Sequence, residues 1–460
     1  MASGSKRSHL PFTLIAMLAV NSLLALPLRQ STPDLRLLEG VRILWHARTP
    51  SISPIQLPSF PSSRTSLPNV VVVITEGVRA DSYCSAPTTD CPFNPAISRL
   101  FPDRVGLAKM RSLASFTVIS MSAITTGRVQ TVSRAELLRM PSIFDYVKAI
   151  RAGDRPPYTA YWSAHNHPMF ERDDIRASID SYVTAEQLVG DQEWHEDADE
   201  RLMNLFSQRF PTLPRPFFVV LHVVNTHTPY AIDPQSTPFT PWERDFSWSG
   251  MPRLFNTYRN SIVRQDRLLA QGLHALSRSG ELDSTLVMFT SDHGEEFGEH
   301  KQIHHGQDLF EVQVHIPGWI AFGSNVLSPQ QARQLRANAD TGSTHLDILP
   351  TLLDAYGVLD SFGFESYRAR LDGRSLLRPV QPAVSLPMTS CTETFPCPFR
   401  NWGMLLEDYK LEAQEWDPGW NCWHLEQGRD TPVGLDHPSC QRLVADSRRY
   451  FPTLPNGRPN

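Results

Sequence analysis

Five residues with metal-binding or acid–base side chains follow continuous apolar runs in this sequence. They are Glu76, His227, Asp292, His293 and His305. Carboxylates and imidazoles are ligands for divalent metal ions, and imidazoles also donate or accept protons near neutral pH. In an open α/β sheet, ligands bind beyond the carboxyl ends of the strands. If the apolar runs are neighbouring strands, these five side chains form a cup that could hold a metal ion.

The apolar runs themselves predict buried strands. NVVVVIT at 69–75, FFVVLHVV at 217–224 and TLVMFT at 285–290 are uninterrupted and rich in β-branched or aromatic residues, as in strands covered on both faces. Helical segments are predicted between and around them, at 142–151, 198–210 and 254–279. This alternation predicts an α/β fold with a mostly parallel central sheet flanked by helices.

Composition narrows the classes of protein. The chain has 460 residues, of which 41% are hydrophobic and 20% charged, and this excludes wholesale disorder or a fibrous repeat. Lys and Arg number 43 against 48 Asp and Glu, for a net charge of −5. Without a basic surplus, nucleic acid is not expected as a partner.

The N-terminal sequence predicts export. Lys6 and Arg7 precede an uncharged apolar stretch at 10–28, so residues 1–28 are interpreted as a signal peptide or a single membrane anchor, and the sequence leaves both open. Residues 29–68 include a Pro- and Ser-rich stretch and are expected to be an extended linker. A catalytic domain is expected over 69–378. The Pro-, Trp- and Cys-rich remainder, 379–460, is expected to be a small C-terminal subdomain.

The cysteines fall into three local pairs, which are expected to be disulfides. The pairs are Cys84 with Cys91, Cys391 with Cys397, and Cys422 with Cys440. An even number of cysteines on an exported chain indicates an oxidising compartment. The expected location is therefore the periplasm or the extracytoplasmic face of a membrane.

Four segments in order resemble a known family. NVVVVITEGVRAD at 69–81, TVISMSAITTG at 117–127, SDHGEEFGEH at 291–300 and THLDILPTLL at 344–353 together resemble the sulfatase branch of the alkaline phosphatase superfamily. Tail fragments at 409–411 and 423–425 resemble the C-terminal strands of that family. The resemblance implies an alkaline phosphatase-like or sulfatase-like α/β fold for most of the chain.

Two departures from sulfatases bear on the chemistry. Sulfatases oxidise a Cys or Ser to formylglycine at the position where this chain has Thr117. Threonine is a secondary alcohol whose oxidation would give a ketone, so formylglycine is excluded there. Sulfatases also use all-oxygen ligands that suit Ca²⁺, whereas Asp292 is followed here by His293. An imidazole ligand moves the expected metal to Zn²⁺, with Mn²⁺ next.

The site residues resemble those of phosphoethanolamine and phosphoglycerol transferases in the same superfamily. That resemblance implies one divalent cation held by Glu76, Thr117, Asp292 and His293, with Thr117 as the nucleophile that becomes phosphorylated. It also implies a substrate-binding role for His165 and His167, where relatives place anion-holding residues. A second metal near His227 and His305 stays open.

Elementary chemistry supports the same mechanism. A threonine hydroxyl is a poor nucleophile, and coordination by a dication would lower its pKa. Thr117 precedes a predicted helix, 118–126, whose N-terminal amide groups and dipole favour phosphate or sulfate oxygens. His227 and His305 would donate to the developing charge in the transition state. Arg79 and Asp81 are expected to form a structural ion pair, and His300, His304 and His315 to lie at the surface or behind the site.

The resulting hypothesis is a metal-dependent phosphoryl-type transferase or phosphodiester hydrolase of the cell envelope. Its substrate would be a phosphodiester linked to a lipid or a glycan, and an uncleaved N-terminal segment would bring it to the membrane. One alternative is sulfate ester hydrolysis. A second alternative is an inactive envelope protein that binds glycan or lipid.

Overall fold

The computed structural model describes residues 55–153, 155–165, 173–190, 195–380, 382–392, 400–426 and 428–453. The predicted signal or anchor at 1–28, most of the linker, His167 and Cys397 lie outside the described residues. Within the described part, no helix combines the length and the apolar character that a membrane crossing requires.

The strands form one large sheet, one C-terminal sheet and several two-stranded pairs. In chain order they are β1 (Phe60–Pro61), β2 (Asn69–Thr75), β3 (Val105–Gly106), β4 (Lys109–Arg111), β5 (Ile150–Arg151), β6 (Tyr158–Ser163), β7 (Ser181–Val183), β8 (Phe217–Val223), β9 (Thr285–Ser291), β10 (Glu296–Phe297), β11 (Ile303–His304), β12 (Gly318–Phe322), β13 (Gly342–Thr344), β14 (Leu386–Met388), β15 (Asn401–Leu406), β16 (Tyr409–Gln414), β17 (Asn421–Glu426) and β18 (Arg429–Val433).

The α-helices lie mainly between these strands. They are α1 (Pro95–Leu100), α2 (Thr117–Thr126), α3 (Arg134–Arg139), α4 (Ile143–Ala149), α5 (Ala185–Val189), α6 (Ala198–Arg209), α7 (Met251–Arg278), α8 (Glu311–Val314), α9 (Pro329–Ala337), α10 (Ile348–Ala355), α11 (Glu365–Arg368) and α12 (Pro438–Ser447).

The central sheet has the strand order β3-β12-β9-β2-β8-β6-β7. Strand β2 pairs in parallel with both β8 and β9, and β6 pairs in parallel with β7 and β8, whereas β12 is antiparallel to β9 and β3. Every residue of β2, β8 and β9 is buried, because apolar clusters cover both faces of the sheet. The predicted α/β fold with a mostly parallel sheet is confirmed.

The predicted elements appear with small differences at their ends. Strand β2 has the predicted bounds, while β8 is one residue shorter than predicted and β9 one residue longer. Helices α4, α6 and α7 occupy the segments predicted at 142–151, 198–210 and 254–279. The largest difference is at the start of α7, which begins at Met251 with Pro252 in its first turn, where proline is tolerated.

The C-terminal part is an antiparallel sheet in sequential order, β14 to β18, with α12 packed on β15 and β16. The disulfide Cys422–Cys440 joins β17 to α12, and Cys84–Cys91 closes a short loop before α1. Both pairs are as predicted. Cys391 is also disulfide-bonded.

The segment expected to be a linker enters the folded unit earlier than expected. Phe60 is 1% exposed and packs edge-on against Phe364 and Tyr367, and β1 pairs in parallel with β5. A proline-rich stretch contributes to a core here because Phe60, with Leu57 and Leu67, supplies apolar contacts. The other expected domain boundaries stay predictions.

Candidate metal centre

The carboxyl ends of β2, β8 and β9 meet at one edge of the central sheet. Thr75 pairs with Val223 on one side and with Ser291 on the other. The backbone then continues the ladder, since Glu76 N–H donates to Val223 O over 3.1 Å and Asp292 N–H donates to Thr75 O over 2.9 Å. Parallel pairing thus places side chains from distant parts of the sequence side by side.

Four of the predicted site residues converge at this edge. Nε2 of His293 lies 3.2 Å from Oε1 of Glu76, 3.1 Å from Oγ1 of Thr117 and 3.3 Å from Oδ2 of Asp292. The Thr117 hydroxyl also donates to Oε1 of Glu76 over 3.0 Å. Glu76, Asp292 and His293 are fully buried, whereas Thr117 is partly exposed and faces the site from the start of α2.

Local backbone structure explains the orientation of these side chains. Gly77 has φ of +65°, a left-handed conformation that favours glycine, and a Cβ there would lie 3.4 Å from Oε2 of Glu295. Gly77 N–H donates to Oδ1 of Asp292 over 2.9 Å, and His293 N–H donates to the same oxygen over 2.7 Å. These two bonds leave Oδ2 of Asp292 facing the site.

The imidazole of His293 is fixed by its other nitrogen. Nδ1–H donates to Gly294 O over 2.8 Å, so Nε2 points to the three oxygens. Such an orienting bond to a backbone carbonyl is typical of histidines that bind metals.

The electrostatics of the cluster favour a positive charge at its centre. Burial and the neighbouring charge of Glu76 raise the pKa of Asp292 to about 6. Although burial alone would raise the pKa of Glu76, contacts with His222 and His293 hold it well below its ordinary value. Burial alone would lower the pKa of His293, but Asp292 and Glu76 raise it to about 10. In the chain alone, a proton on His293 therefore balances part of the buried negative charge.

The donor set fits a divalent cation. Among the described residues, Oδ2 of Asp292, which faces the site, is buried and has no hydrogen-bond partner. Buried carboxylate oxygens without donors are costly unless a cation balances them. Ligand atoms from Glu76, Asp292 and His293 all lie within 4.8 Å of one another. Three oxygens and one imidazole nitrogen suit Zn²⁺ or Mn²⁺ better than Ca²⁺.

A second group of the predicted residues lies beside the first. Ligand atoms of Glu76, His227 and His305 lie within 4.8 Å of one another, and the ring of His305 lies 4.1 Å from that of His293, tilted by 36°. Nδ1–H of His227 donates to Thr228 O over 2.8 Å. The structure therefore brings both predicted histidines to the site.

His165 lies beside His222. Its ring is nearly parallel to that of His222 at 6.2 Å, and its backbone N–H donates to Oγ of Ser163 over 3.0 Å. The remaining predicted site residue, His167, lies outside the described residues.

Sequence reasoning missed two buried residues of the site. His222 lies inside the apolar run of β8, with Nε2 3.7 Å from Oε2 of Glu76. Glu295 lies 3.3 Å from Nδ1 of His305 and 3.7 Å from Nδ1 of His304. A single polar residue in an otherwise apolar strand is a signal that could have identified His222, since an imidazole is buried there only with a partner.

Other predicted residues lie behind or beside the site. Arg79 binds Asp81 in the turn after Glu76, with an N–O distance of 2.5 Å, as expected for a structural ion pair, and it also binds Glu299. His300 contacts Glu296 at 2.5 Å, and His315 contacts Ala108 O at 3.0 Å.

Known proteins share parts of this chain's sequence and fold. Human N-acetylglucosamine-6-sulfatase is 24% identical over 201 residues, which is 38% of this chain and 34% of that protein. The chain thus matches about a third of the length of this curated relative.

Two solved structures show the same fold. Lipooligosaccharide phosphoethanolamine transferase A from Neisseria meningitidis, an integral membrane protein, has a TM-score of 0.60 at 18% identity, covering 80% of this chain and 69% of that one. The C-terminal periplasmic domain of EcEptC from Escherichia coli, in complex with Zn, has a TM-score of 0.55 at 16% identity, covering 72% of this chain and 93% of that one.

The sequence model of the sulfatase family matches residues 68–358, a segment that includes β2, α2, β8 and β9 and therefore all four residues of the candidate metal centre. Because this match extends over more than half of the chain, the chain belongs to the sulfatase family.

Proposed function

We propose that this sulfatase-family chain is a metal-dependent phosphoryl-type transferase or phosphodiester hydrolase that acts through Thr117. The observation that supports the proposal is that Oγ1 of Thr117 lies 3.0 Å from Oε1 of Glu76 and 3.1 Å from Nε2 of His293. A nucleophilic hydroxyl at a helix start, bordered by buried unpaired carboxylates, is suited to metal-activated attack on an anionic ester.

Glu76, Thr117, Asp292 and His293 would hold the cation. A bound dication would lower the pKa of the Thr117 hydroxyl and partly neutralise the charge of the phosphoryl oxygens. The chain's own residues do the rest of the chemistry. Thr117 is the first residue of α2, whose N-terminal amide groups and positive dipole end would favour the negative charge of the substrate.

The transfer takes place in two steps. The Thr117 hydroxyl gives up its proton to water, and Oγ1 forms a bond to phosphorus as the bond from phosphorus to the leaving oxygen breaks; the leaving oxygen takes a proton from His227 or His305. Water or an acceptor hydroxyl then gives up a proton to the same imidazole and attacks the phosphorus of the threonine-linked diester, whose bond to Oγ1 breaks, and Oγ1 takes back a proton from water. His165 and His167 are proposed to bind the substrate.

Zn²⁺ is the proposed metal and Mn²⁺ the next candidate, with a second ion near His227 and His305 as a further proposal. Export, a periplasmic or extracytoplasmic location and a substrate linked to lipid or glycan are proposed as well. Support comes from the predicted N-terminal segment, the disulfides at Cys84–Cys91 and Cys422–Cys440, and the periplasmic origin of the Escherichia coli neighbour.

Sulfate ester hydrolysis is the second candidate, and the family match favours it. The two can be separated by a panel of an aryl phosphodiester and an aryl sulfate, followed by intact-mass measurement. Phosphodiester turnover is expected, with an adduct on Thr117 that has the mass of the phosphoryl group and its remaining ester substituent, and sulfate turnover alone would contradict the proposal.

Two variants of Thr117 form a matched pair. Thr117→Val keeps the shape and removes the hydroxyl, so turnover is expected to fall about 10³-fold or more, whereas Thr117→Ser keeps the hydroxyl and is expected to retain activity. Equal turnover in wild type and Thr117→Val would refute the role of Thr117. Wild-type protein that lacks both turnover and stoichiometric metal would instead favour an inactive binding protein.

A further inference from the structure

His222 is a fully buried imidazole that the proposed chemistry does not use. It lies on β8 opposite Ile74 of β2, one residue before the strand pair ends. Its Nε2 is 3.7 Å from Oε2 of Glu76, and neither atom has a hydrogen-bond partner among the described residues. The other oxygen of Glu76 faces Thr117 and His293. His222 and the metal centre therefore occupy opposite sides of one carboxylate.

The other edge of the His222 ring is fixed by hydroxyl groups. Nδ1 lies 3.1 Å from Oγ of Ser163 and 3.5 Å from the hydroxyl of Tyr161. Oγ of Ser163 accepts the backbone N–H of His165 and lies within hydrogen-bond distance of Nδ1 of His222. If the Ser163 hydroxyl donates to Nδ1, the ring proton of His222 lies on Nε2, the atom that faces Glu76.

We propose that Ser163 donates to Nδ1 of His222 and that His222, with its ring proton on Nε2, is a positioning residue for the candidate metal centre: Nε2–H faces Oε2 of Glu76 across 3.7 Å and so favours the orientation in which Oε1 faces Thr117 and His293. The terminal torsion of a glutamate side chain has a broad preference, so a carboxylate held at one oxygen only is free to turn. Groups that orient metal ligands in this way typically affect metal affinity by about 10–100-fold. This inference rests on the proposed metal site.

The inference is tested by measuring the zinc affinity of the full chain in competition with a chromogenic chelator. His222→Leu removes the N–H donor and is expected to weaken zinc binding by about 10–100-fold. His222→Gln places an amide N–H near the former Nε2 position and is expected to stay within about 3-fold of wild type. His274→Gln is the control, because His274 is exposed on α7 and remote in sequence from the site residues.

Each outcome bears on a separate claim. Zinc affinity of His222→Leu equal to wild type overturns the positioning role, and so does a loss in His222→Gln as large as in His222→Leu. If His222→Leu does not fold, Ser163→Ala carries the test, with an expected loss of about 3–10-fold from freeing the ring, and no loss overturns the inference. Wild-type protein that binds no zinc overturns the metal site, and the inference with it.

Discussion

This chain contains two buried clusters of charged residues that differ in whether positively charged side chains balance their carboxylates. The site cluster consists of Glu76, Asp292, His293 and Glu295. The linking cluster, where β4, α8 and the C-terminal sheet meet, consists of Arg111, Glu311, Lys410 and Asp430. Every side chain of the two clusters is at most 5% exposed.

The linking cluster balances its own charge. Arg111 binds Glu311 with two nitrogens at 2.9–3.1 Å, and Nζ of Lys410 lies 2.6 Å from Oδ1 of Asp430. Although burial alone would raise the pKa of Glu311, Arg111 and Lys410 lower it to about 2. In the site cluster no described guanidinium or ammonium group pairs with the carboxylates, and the pKa of Asp292 is instead raised to about 6.

The difference separates a structural use of buried charge from a functional one. A buried carboxylate is tolerated when a permanent cation of the protein faces it, as in the linking cluster. The site cluster has imidazoles in place of permanent cations, and imidazoles give up a proton in exchange for a metal ion. The comparison predicts that added metal stabilises through the site cluster alone.

The largest expected effect is removal of a ligand from the site cluster. Glu76→Gln should abolish measurable turnover and remove most of the rise in melting temperature that zinc gives wild type, because ligand binding stabilises by about 4 kcal/mol at a thousand times Kd. Thermal unfolding with and without zinc checks this. Glu426→Gln, at an exposed position of β17, is the control, and an unchanged zinc response in Glu76→Gln would remove the distinction between the clusters.

Breaking the linking cluster should affect stability and leave metal binding intact. Arg111→Met leaves Glu311 buried without its main partner, and the expected loss of unfolding free energy is about 3–5 kcal/mol. The double variant Arg111→Met with Glu311→Met should regain most of that loss, since an apolar pair needs no charge balance. Urea denaturation gives both values. A loss of zinc affinity in the double variant would show that the two clusters are coupled.

Glu412, which lies near Lys410 of the linking cluster, should make the stability of the fold depend on pH. Burial raises its pKa to about 7 despite nearby Lys410, against 4.5 for an ordinary glutamate. Between these two values the folded chain binds a proton that the unfolded chain does not, so this residue destabilises the fold increasingly as pH rises from 4.5 through 7.

Glu412→Gln mimics the protonated form and removes that dependence. Relative to wild type, the variant should therefore gain stability as pH rises from 5 to 8, by roughly 3 kcal/mol at most, in urea denaturation at four pH values. The control variant is Glu415→Gln, which makes the same substitution at a nearby glutamate. A difference that is independent of pH would exclude titration of Glu412.

Much of the fold could be predicted because its physical causes are local in sequence. The apolar runs at 69–75 and 285–290 predict buried strands, and burial on both faces leaves little choice but a parallel sheet with helices on each side. Parallel strands then place Glu76 and Asp292 at one edge of the sheet, so these residues of the candidate metal centre could be predicted from the sequence.

The remaining parts depend on contacts between distant residues. That His222 lies 3.7 Å from Glu76 follows from the register between β2 and β8, which the sequence does not specify. The partners of Arg111 and Lys410 lie about 200 and 20 positions away along the chain, in elements whose packing depends on the complete core. Phe60 was missed because the composition of its neighbours is typical of a linker.

The smallest expected effect concerns Arg79, which lies beside the site cluster and yet is paired like the linking cluster. It binds Asp81 and Glu299, and its guanidinium lies 4.9 Å from the centre of the Phe255 ring. Because the Asp81 side chain is half-exposed and Arg79 keeps its other two partners, Asp81→Asn should cost only about 0.2–1 kcal/mol in urea denaturation, with zinc affinity unchanged. A larger loss together with weaker zinc binding would instead place this ion pair within the metal centre.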